Sequence, residues 1–241
     1  SKDNSYTYIE KGVILIDGGY ITAVGENIRI PEEAKITDYG DYLICPGFID
    51  AHVHYPQINI IASYGEQLLE WLKKYTFPEE SRFSDKKFAT SVASFFLDEL
   101  VKNGVTTASV FCTSHPNSVD AFFEESSKRD LRMIAGKVLM DRNAPKGVCD
   151  TAHAGYNDSK GLIDKWHQNG RNLYAVTPRF APTSSPEQLE MAGQLYSEVD
   201  NVYVQSHVSE NVAEIEWVKK LFPEAKTYLE VYQNFNILGP R

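Results

Sequence analysis

Two histidines separated by one valine, His52 and His54, are the residues whose type and spacing most directly suggest chemistry. They follow an apolar run, Tyr42 to Ala51, that is typical of a buried strand. Side chains two positions apart on a strand project to the same side, so both imidazoles should point together where the chain leaves the sheet. Neutral imidazole suits zinc and similar divalent ions. Although the His-x-His pattern also arises by chance, the pair predicts two ligands of a metal site.

A second cluster lies at the end of a later predicted strand, where Glu210 follows His207 by three residues. The histidine offers one more neutral ligand, and the carboxylate can carry protons without binding the metal, as hydrolytic metal sites require. The alternative is a core histidine followed by an acid that caps a helix. The presence of His52 and His54 elsewhere in the chain favours the metal site over this alternative.

Composition limits the classes of function that the chain can have. The 241 residues have a hydrophobic content of 42% and a net charge of −9. This composition is ordinary for a soluble globular protein, and the negative charge argues against nucleic-acid and anionic-membrane partners. No apolar run reaches the roughly 18 residues that a membrane span needs. The widely spaced Cys45, Cys112 and Cys149 are expected to be reduced thiols, which favours a cytoplasmic location.

The elements that must position the histidines alternate between strands and helices after residue 54. The predicted strands are Val105 to Phe111, Leu131 to Met140, Leu173 to Thr177 and Val202 to His207. The predicted helices are Asp85 to Asn103 with Ser84 as its N-cap, Ser118 to Arg129, Ser159 to Gln168, Pro186 to Val199, Asn211 to Leu221 and Thr227 to Phe235. This alternation predicts a parallel sheet with helical crossovers, either open or closed. A (β/α)8 TIM-type barrel, with about five of its eight strands present, is preferred because the candidate residues end strands.

Residues 1–46 are predicted to form a small antiparallel β unit that flanks the main domain, and residues 47–241 are predicted to form a partial barrel. Tyr8 to Gly25 has the pattern of a hairpin with an Asp-Gly-Gly turn. Ile28 to Ile36 and Tyr39 to Ile44 are predicted to add short β pieces.

The segment from Pro46 to His54 resembles the first-strand signature of the amidohydrolase superfamily, Pro-Gly-hydrophobic-hydrophobic-Asp-x-His-x-His. Further segments are similar to its guanine deaminase branch: Leu69 to Pro78, Lys102 to Thr107, Gly136 to Asp141, Thr177 to Phe180 and Gln205 to Glu210. The resemblance implies a metal-dependent hydrolase on a (β/α)8 barrel, with a β-sandwich built from both chain ends. It also implies a homodimer that acts in purine catabolism.

Carried over to this chain, the resemblance assigns one divalent metal, zinc or alternatively iron, to three imidazoles and proton transfer to Glu210. The implied metal ligands are His52, His54 and His207.

The same resemblance implies that Gln57 and Arg179 hold the polar edge of a purine, with Phe180 beside it. The side-chain chemistry agrees, because arginine offers a rigid fork of donors and an amide both donates and accepts.

The implied reaction is hydrolytic deamination of guanine, a small-molecule partner, to xanthine and ammonia. The resembling enzymes also use a histidine at the end of the sixth strand and an aspartate at the end of the eighth. Neither falls within the strands predicted here, so the chain is expected to be an incomplete N-terminal portion without full activity of its own. Two alternatives stay open: a deaminase for another aminated heterocycle, such as a triazine, and a non-catalytic scaffold of the same fold.

Overall fold

The computed structural model describes residues 6–240 and divides the chain into two compact units, Ser1–Cys45 and Pro46–Arg241. The first unit contains one antiparallel hairpin, formed by β1, Val13–Asp17, and β2, Tyr20–Gly25. The two turn glycines, Gly18 and Gly19, have φ of 55° and 82°, which is the backbone that a tight hairpin turn requires.

The remaining β pieces predicted for the first unit are wrong. Neither Ile28 to Ile36 nor Tyr39 to Ile44 forms a strand in the described part of the chain, and most of these side chains are exposed. β-Branched and aromatic residues favour strands only where a partner strand and a packing surface are present.

The second unit is built on a parallel sheet, whose strands are β3, Phe48–His54; β4, Val105–Phe111; β5, Arg132–Gly136; β6, Val138–Leu139; β7, Leu173–Pro178; and β8, Tyr203–Val204. The strands run in the order β3-β4-β5-β7, with β8 beside β7. Because β5 and β6 pair with β7 in one continuous register, they form the predicted third strand, interrupted at Lys137. The Lys137 side chain is buried and forms an ion pair with Asp150.

Helices follow the strands as predicted. They are α1, Leu68–Trp71; α2, Phe77–Ser81; α3, Lys86–Lys102; α4, Pro116–Lys128; α5, Ala152–Trp166; α6, Pro186–Glu198; α7, Val212–Leu221; and α8, Tyr228–Asn234. The largest boundary error is at α5, which begins at Ala152 because the Thr151 hydroxyl caps it by accepting from the Ala154 N–H. Asp85, not Ser84, caps α3. None of the described helices is long and apolar enough to cross a membrane.

The central strands are buried, whereas β3 is exposed at the edge of the sheet. Val110 on β4 and Val176 on β7 are fully buried, but Phe48 and Ile49 on β3 are 61% and 73% exposed. The prediction that the strand before the histidines is buried is therefore wrong. Among the described residues β3 pairs with β4 alone, so its other side has no ladder.

Candidate metal centre

Three imidazoles meet at the C-terminal ends of the two edge strands. His52 and His54 close β3, and His207 follows β8 by three residues. One ring nitrogen from each residue lies within 4.8 Å of the other two, and the Nε2 atoms of His54 and His207 are 2.9 Å apart. The structure thus brings together all three histidines chosen from the sequence, while their role as metal ligands stays a prediction.

The curl of the sheet makes this meeting possible. A flat sheet would separate β3 from β8 by four strand spacings, about 19 Å. The 2.9 Å contact between His54 and His207 shows that the sheet bends round toward itself. A bulge in β3 also helps, since Asp50 pairs with Ala108 whereas Val53 pairs with Val110, leaving one extra residue on β3. Such bulges redirect side chains next to active sites.

Phe111, at the end of β4, forms an apolar support for the imidazoles. Its ring is stacked on His54 with centroids 4.6 Å apart, and it lies 4.4 Å from His207 and 5.1 Å from His52. Phe111 is fully buried. The rings are therefore held by packing as well as by the backbone.

The carbonyl of Arg179 fixes the orientation of His207. The peptide N–H of His207 donates to this oxygen at 3.1 Å, and the ring Nδ1 lies 2.6 Å from the same oxygen. Because a carbonyl only accepts, Nδ1 carries the proton and Nε2 keeps its lone pair. That lone pair points into the histidine cluster, as in metal sites where a backbone carbonyl selects the ligand tautomer.

Burial keeps the imidazoles neutral. It lowers the pKa of His207 to about 3 and the pKa of His54 well below its ordinary value. Burial also lowers the pKa of His52, with the Asp50 carboxylate opposing the change. The buried Nδ1 of His54 has no hydrogen-bond partner among the described residues. Metal ligands must be deprotonated, so three converging neutral imidazoles fit a divalent ion.

Arg179 and Glu80 form a buried ion pair beside the histidines. Nη1 of Arg179 donates to both carboxylate oxygens of Glu80 at 2.8 Å, and the two residues are 2% and 0% exposed. The ring of Phe77 lies 5.3 Å from the guanidinium. Burial raises the pKa of Glu80, while Arg179 and a hydrogen bond from Gln57 oppose the rise. Sequence reasoning missed Glu80, although it lies two residues beyond a segment that carries the resemblance.

Glu80 also lies next to both residues predicted to bind a purine edge, because Arg179 hydrogen-bonds to it and Gln57 is close enough to oppose the rise in its pKa. Gln57 is half-buried on the 3-10 turn Tyr55–Ile60. Phe180 is 3% exposed and packs with Phe77 and Phe111 in one apolar cluster. The predicted substrate residues therefore lie close together, next to the histidines.

Glu210 does not have the helix-capping role that the sequence left open as an alternative. The backbone N–H groups of Glu210 and Asn211 donate to the Oε2 atom of Glu214 at 2.9 and 3.1 Å. Glu214, not Glu210, is the acid of the capping box at α7. Partial burial and the neighbouring Glu214 raise the pKa of Glu210, and Arg179 opposes the rise.

The amidohydrolase family pattern matches residues 43–241, and the chain belongs to this family. In sequence it is 51% identical to the guanine deaminase of Escherichia coli (strain K12) over 236 residues, which are 96% of this chain and 54% of that enzyme. The chain spans about half the length of the curated relatives it matches.

Solved structures of similar proteins agree with the sequence relatives. The E. coli guanine deaminase matches with a TM-score of 0.92 over 95% of this chain and 54% of its own. A guanine deaminase from C. acetobutylicum with guanine bound in its active site matches with a TM-score of 0.92 and 32% identity, over 98% of this chain and 57% of its own. These matches confirm the predicted α/β fold class of TIM-barrel type, although the sheet is not closed among the described residues.

Proposed function

We propose that the protein carrying this chain hydrolyses guanine to xanthine and ammonia. The observation that carries the proposal is the junction at Arg179, whose carbonyl orients His207 while its guanidinium is paired with Glu80. Arg179 therefore contributes to two groups: its carbonyl orients one of the histidines that would bind the metal, and its side chain is one of the buried donors that would bind the purine. The similarity to guanine deaminases over most of the chain supports this choice of substrate.

His52, His54 and His207 would hold one divalent ion, zinc by first choice with iron as the alternative. Three protein ligands are common in catalytic zinc sites. When bound, such an ion lowers the pKa of a coordinated water toward neutrality and so supplies the nucleophile for hydrolysis.

Arg179 and Gln57 would bind the polar edge of the base. Because Nη1 of Arg179 is committed to Glu80, the Nε and Nη2 donors are left for a carbonyl oxygen and a ring nitrogen of guanine. The Gln57 amide can both donate and accept along the same edge. Phe180, in its apolar cluster, would cover one side of the flat ring and keep water from it.

Glu210 would move the protons of the reaction. Its backbone is held by Glu214, and its raised pKa favours uptake of a proton by the carboxylate. In this role it would protonate the ring nitrogen next to the carbon that bears the amine, and then assist the departure of ammonia.

The cellular setting proposed for the protein is that of the family resemblance: a cytoplasmic homodimer in purine catabolism. In the same way, we propose that residues 1–46 belong to a flanking β-sandwich and residues 47–241 to the barrel.

Ammonia release from guanine by the whole protein that carries this chain tests the proposal. Glu210→Gln should abolish release while zinc content, measured by atomic absorption, stays at the wild-type level. The matched control is Glu216→Gln, which removes an exposed carboxylate on α7 that pairs with Lys219. Unchanged turnover in Glu210→Gln, or absence of ammonia release from the wild type, would overturn the assignment.

A further inference from the structure

The hydroxyl of Tyr232 on α8 makes three hydrogen bonds next to the candidate metal centre. It accepts the Ala181 N–H at 3.0 Å and the Ser206 hydroxyl at 2.9 Å, and it donates to the His207 carbonyl at 2.8 Å. The side chain is 2% exposed. A phenol has one proton to donate and two lone pairs to accept with, so all its hydrogen-bonding capacity is used.

The groups joined by this hydroxyl lie on two loops with different proposed tasks. Ala181 follows Phe180 in the loop after β7, which also carries Arg179. Ser206 and His207 lie in the loop after β8. The loops already touch through the two hydrogen bonds that His207 makes to the Arg179 carbonyl. Tyr232 adds a bridge from a third element, because α8 lies outside both loops.

We infer that Tyr232 is a positioning residue that holds the metal-ligand loop of His207 in register with the loop of Arg179 and Phe180. The inference rests on the proposed metal centre. Groups that orient metal ligands by hydrogen bonds typically change metal affinity 10- to 100-fold when they are removed. The Tyr232 hydroxyl bonds to the backbone carbonyl of His207 and not to its ring, so its effect on the metal centre is exerted through the position of His207.

Tyr228, one turn earlier on α8, provides a matched control. Its ring stacks on that of Tyr232 with centroids 5.8 Å apart, and it is 8% exposed. Its hydroxyl lies beside the Tyr232 hydroxyl and the Glu214 carboxylate but makes no hydrogen bond of good geometry among residues 6–240. Tyr232→Phe and Tyr228→Phe therefore remove the same atom from stacked rings of the same helix, and only the first change breaks the bridge.

The test is the Zn²⁺ affinity of the whole protein that carries this chain, measured by competition with a chromophoric chelator. We expect Tyr232→Phe to weaken Zn²⁺ binding by about 10- to 100-fold and Tyr228→Phe to leave it within about twofold. The visible absorption bands of bound Co²⁺ should shift in Tyr232→Phe alone, a change that a loss of stability without repositioning of His207 would not produce.

Equal Zn²⁺ affinity in Tyr232→Phe and the wild type, with unchanged circular dichroism, would overturn the inference and leave the metal centre standing. Absence of Zn²⁺ binding by the wild type would overturn the metal centre and the inference together. If Tyr232→Phe does not fold, Ser206→Ala removes one of the three hydrogen bonds and should still weaken binding several-fold. Wild-type affinity in that variant would also reject the inference.

Discussion

The middle of the parallel sheet and its two edges have opposite characters. Ala108 and Val110 on β4 and Tyr174 and Val176 on β7 are fully buried. On the edge strand β3, by contrast, Ile49 is 73% exposed. Yet the candidate metal ligands lie at the ends of the edge strands or just after them, and not on the central strands. Burial and chemistry are thus divided between different strands of one sheet.

This difference between interior and edge shows how the buried part of the sheet contributes to the candidate metal centre. His54 and His207 reach each other only because the sheet bends across the strands between them, and the hydrophobic core packs against those strands. Phe122, on α4, lies in that core and stacks on Tyr55, the residue after His54. The interior therefore supplies the stability, while the edges supply the ligands.

Truncation in the core should have the largest effect on stability. Phe122 is fully buried, and Phe122→Ala is expected to lower the free energy of unfolding by about 3–5 kcal/mol, since it removes apolar contacts and leaves a cavity. Ile49→Ala on β3 should change it by less than about 0.5 kcal/mol because the side chain is already exposed. Urea unfolding followed by circular dichroism measures both. Similar losses in the two variants would contradict the contrast between interior and edge.

Zinc should join the two edges and stabilise the chain. A ligand that binds only the folded state at 100 times its dissociation constant adds about 2.7 kcal/mol to the free energy of unfolding. We expect a zinc-dependent gain of this order in the wild type and none in His54→Ala. His153→Ala is the control, because His153 is a surface histidine whose side chain is 75% exposed. A gain that survives in His54→Ala would place the ion elsewhere.

Removing the negative charge of the buried ion pair next to the site should lower the free energy of unfolding by a somewhat smaller amount. Glu80→Gln keeps the shape but removes the charge that faces the buried Arg179, and hydrogen bonds to charged groups contribute about 2 kcal/mol. Glu70→Gln disturbs an exposed pair with Lys73 and should be nearly neutral. In the whole protein, Glu80→Gln should also raise the KM for guanine more than it lowers kcat. A variant with wild-type stability and KM would show that Arg179 needs no partner.

The smallest expected effect concerns a surface contact between α5 and α6. Hydrogen bonds from Gln194, Tyr156 and Lys160 lower the pKa of Glu198 to about 2. A depressed carboxyl pKa adds stability above the unfolded-state pKa, near 4.5, and this stability is lost as the pH falls toward 2. Glu198→Gln should therefore flatten the fall in stability between about pH 5 and pH 2, as measured by acid titration of the circular dichroism signal. An acid unfolding curve of Glu198→Gln identical to that of the wild type would show that the contact has no effect on stability.

Sequence patterns were sufficient to predict the interior of the sheet and the shared direction of His52 and His54, while their role as metal ligands stays a prediction. The spacing of apolar residues in α3 and the β-branched run of β4 are local signals, and local signals determined both elements. The pair His52 and His54 also follows a local rule, because alternate side chains on a strand share a face.

The remaining features depend on partners that are distant in sequence. Glu80 and Arg179 are 99 positions apart, and nothing in either neighbourhood specifies the pairing. The hydrogen bonds of Tyr232 could not be predicted from the sequence either, because the pattern of an amphipathic helix indicates only that such a tyrosine packs in the core. The errors at residues 28–44 arose in the opposite way: strand-favouring residues were present, but the described part of the chain provides no partner strand for them.

The sequence separation of 153 residues from His54 to His207 also has a kinetic meaning. Contacts that close long loops carry a greater entropic cost and form after the local ones, so adjacent pairings such as β3 with β4 should precede this contact during folding. A chain arrested after β7 would contain two of the three imidazoles and could not complete the triad. The time at which the folding chain takes up zinc would then show when the last strand has docked.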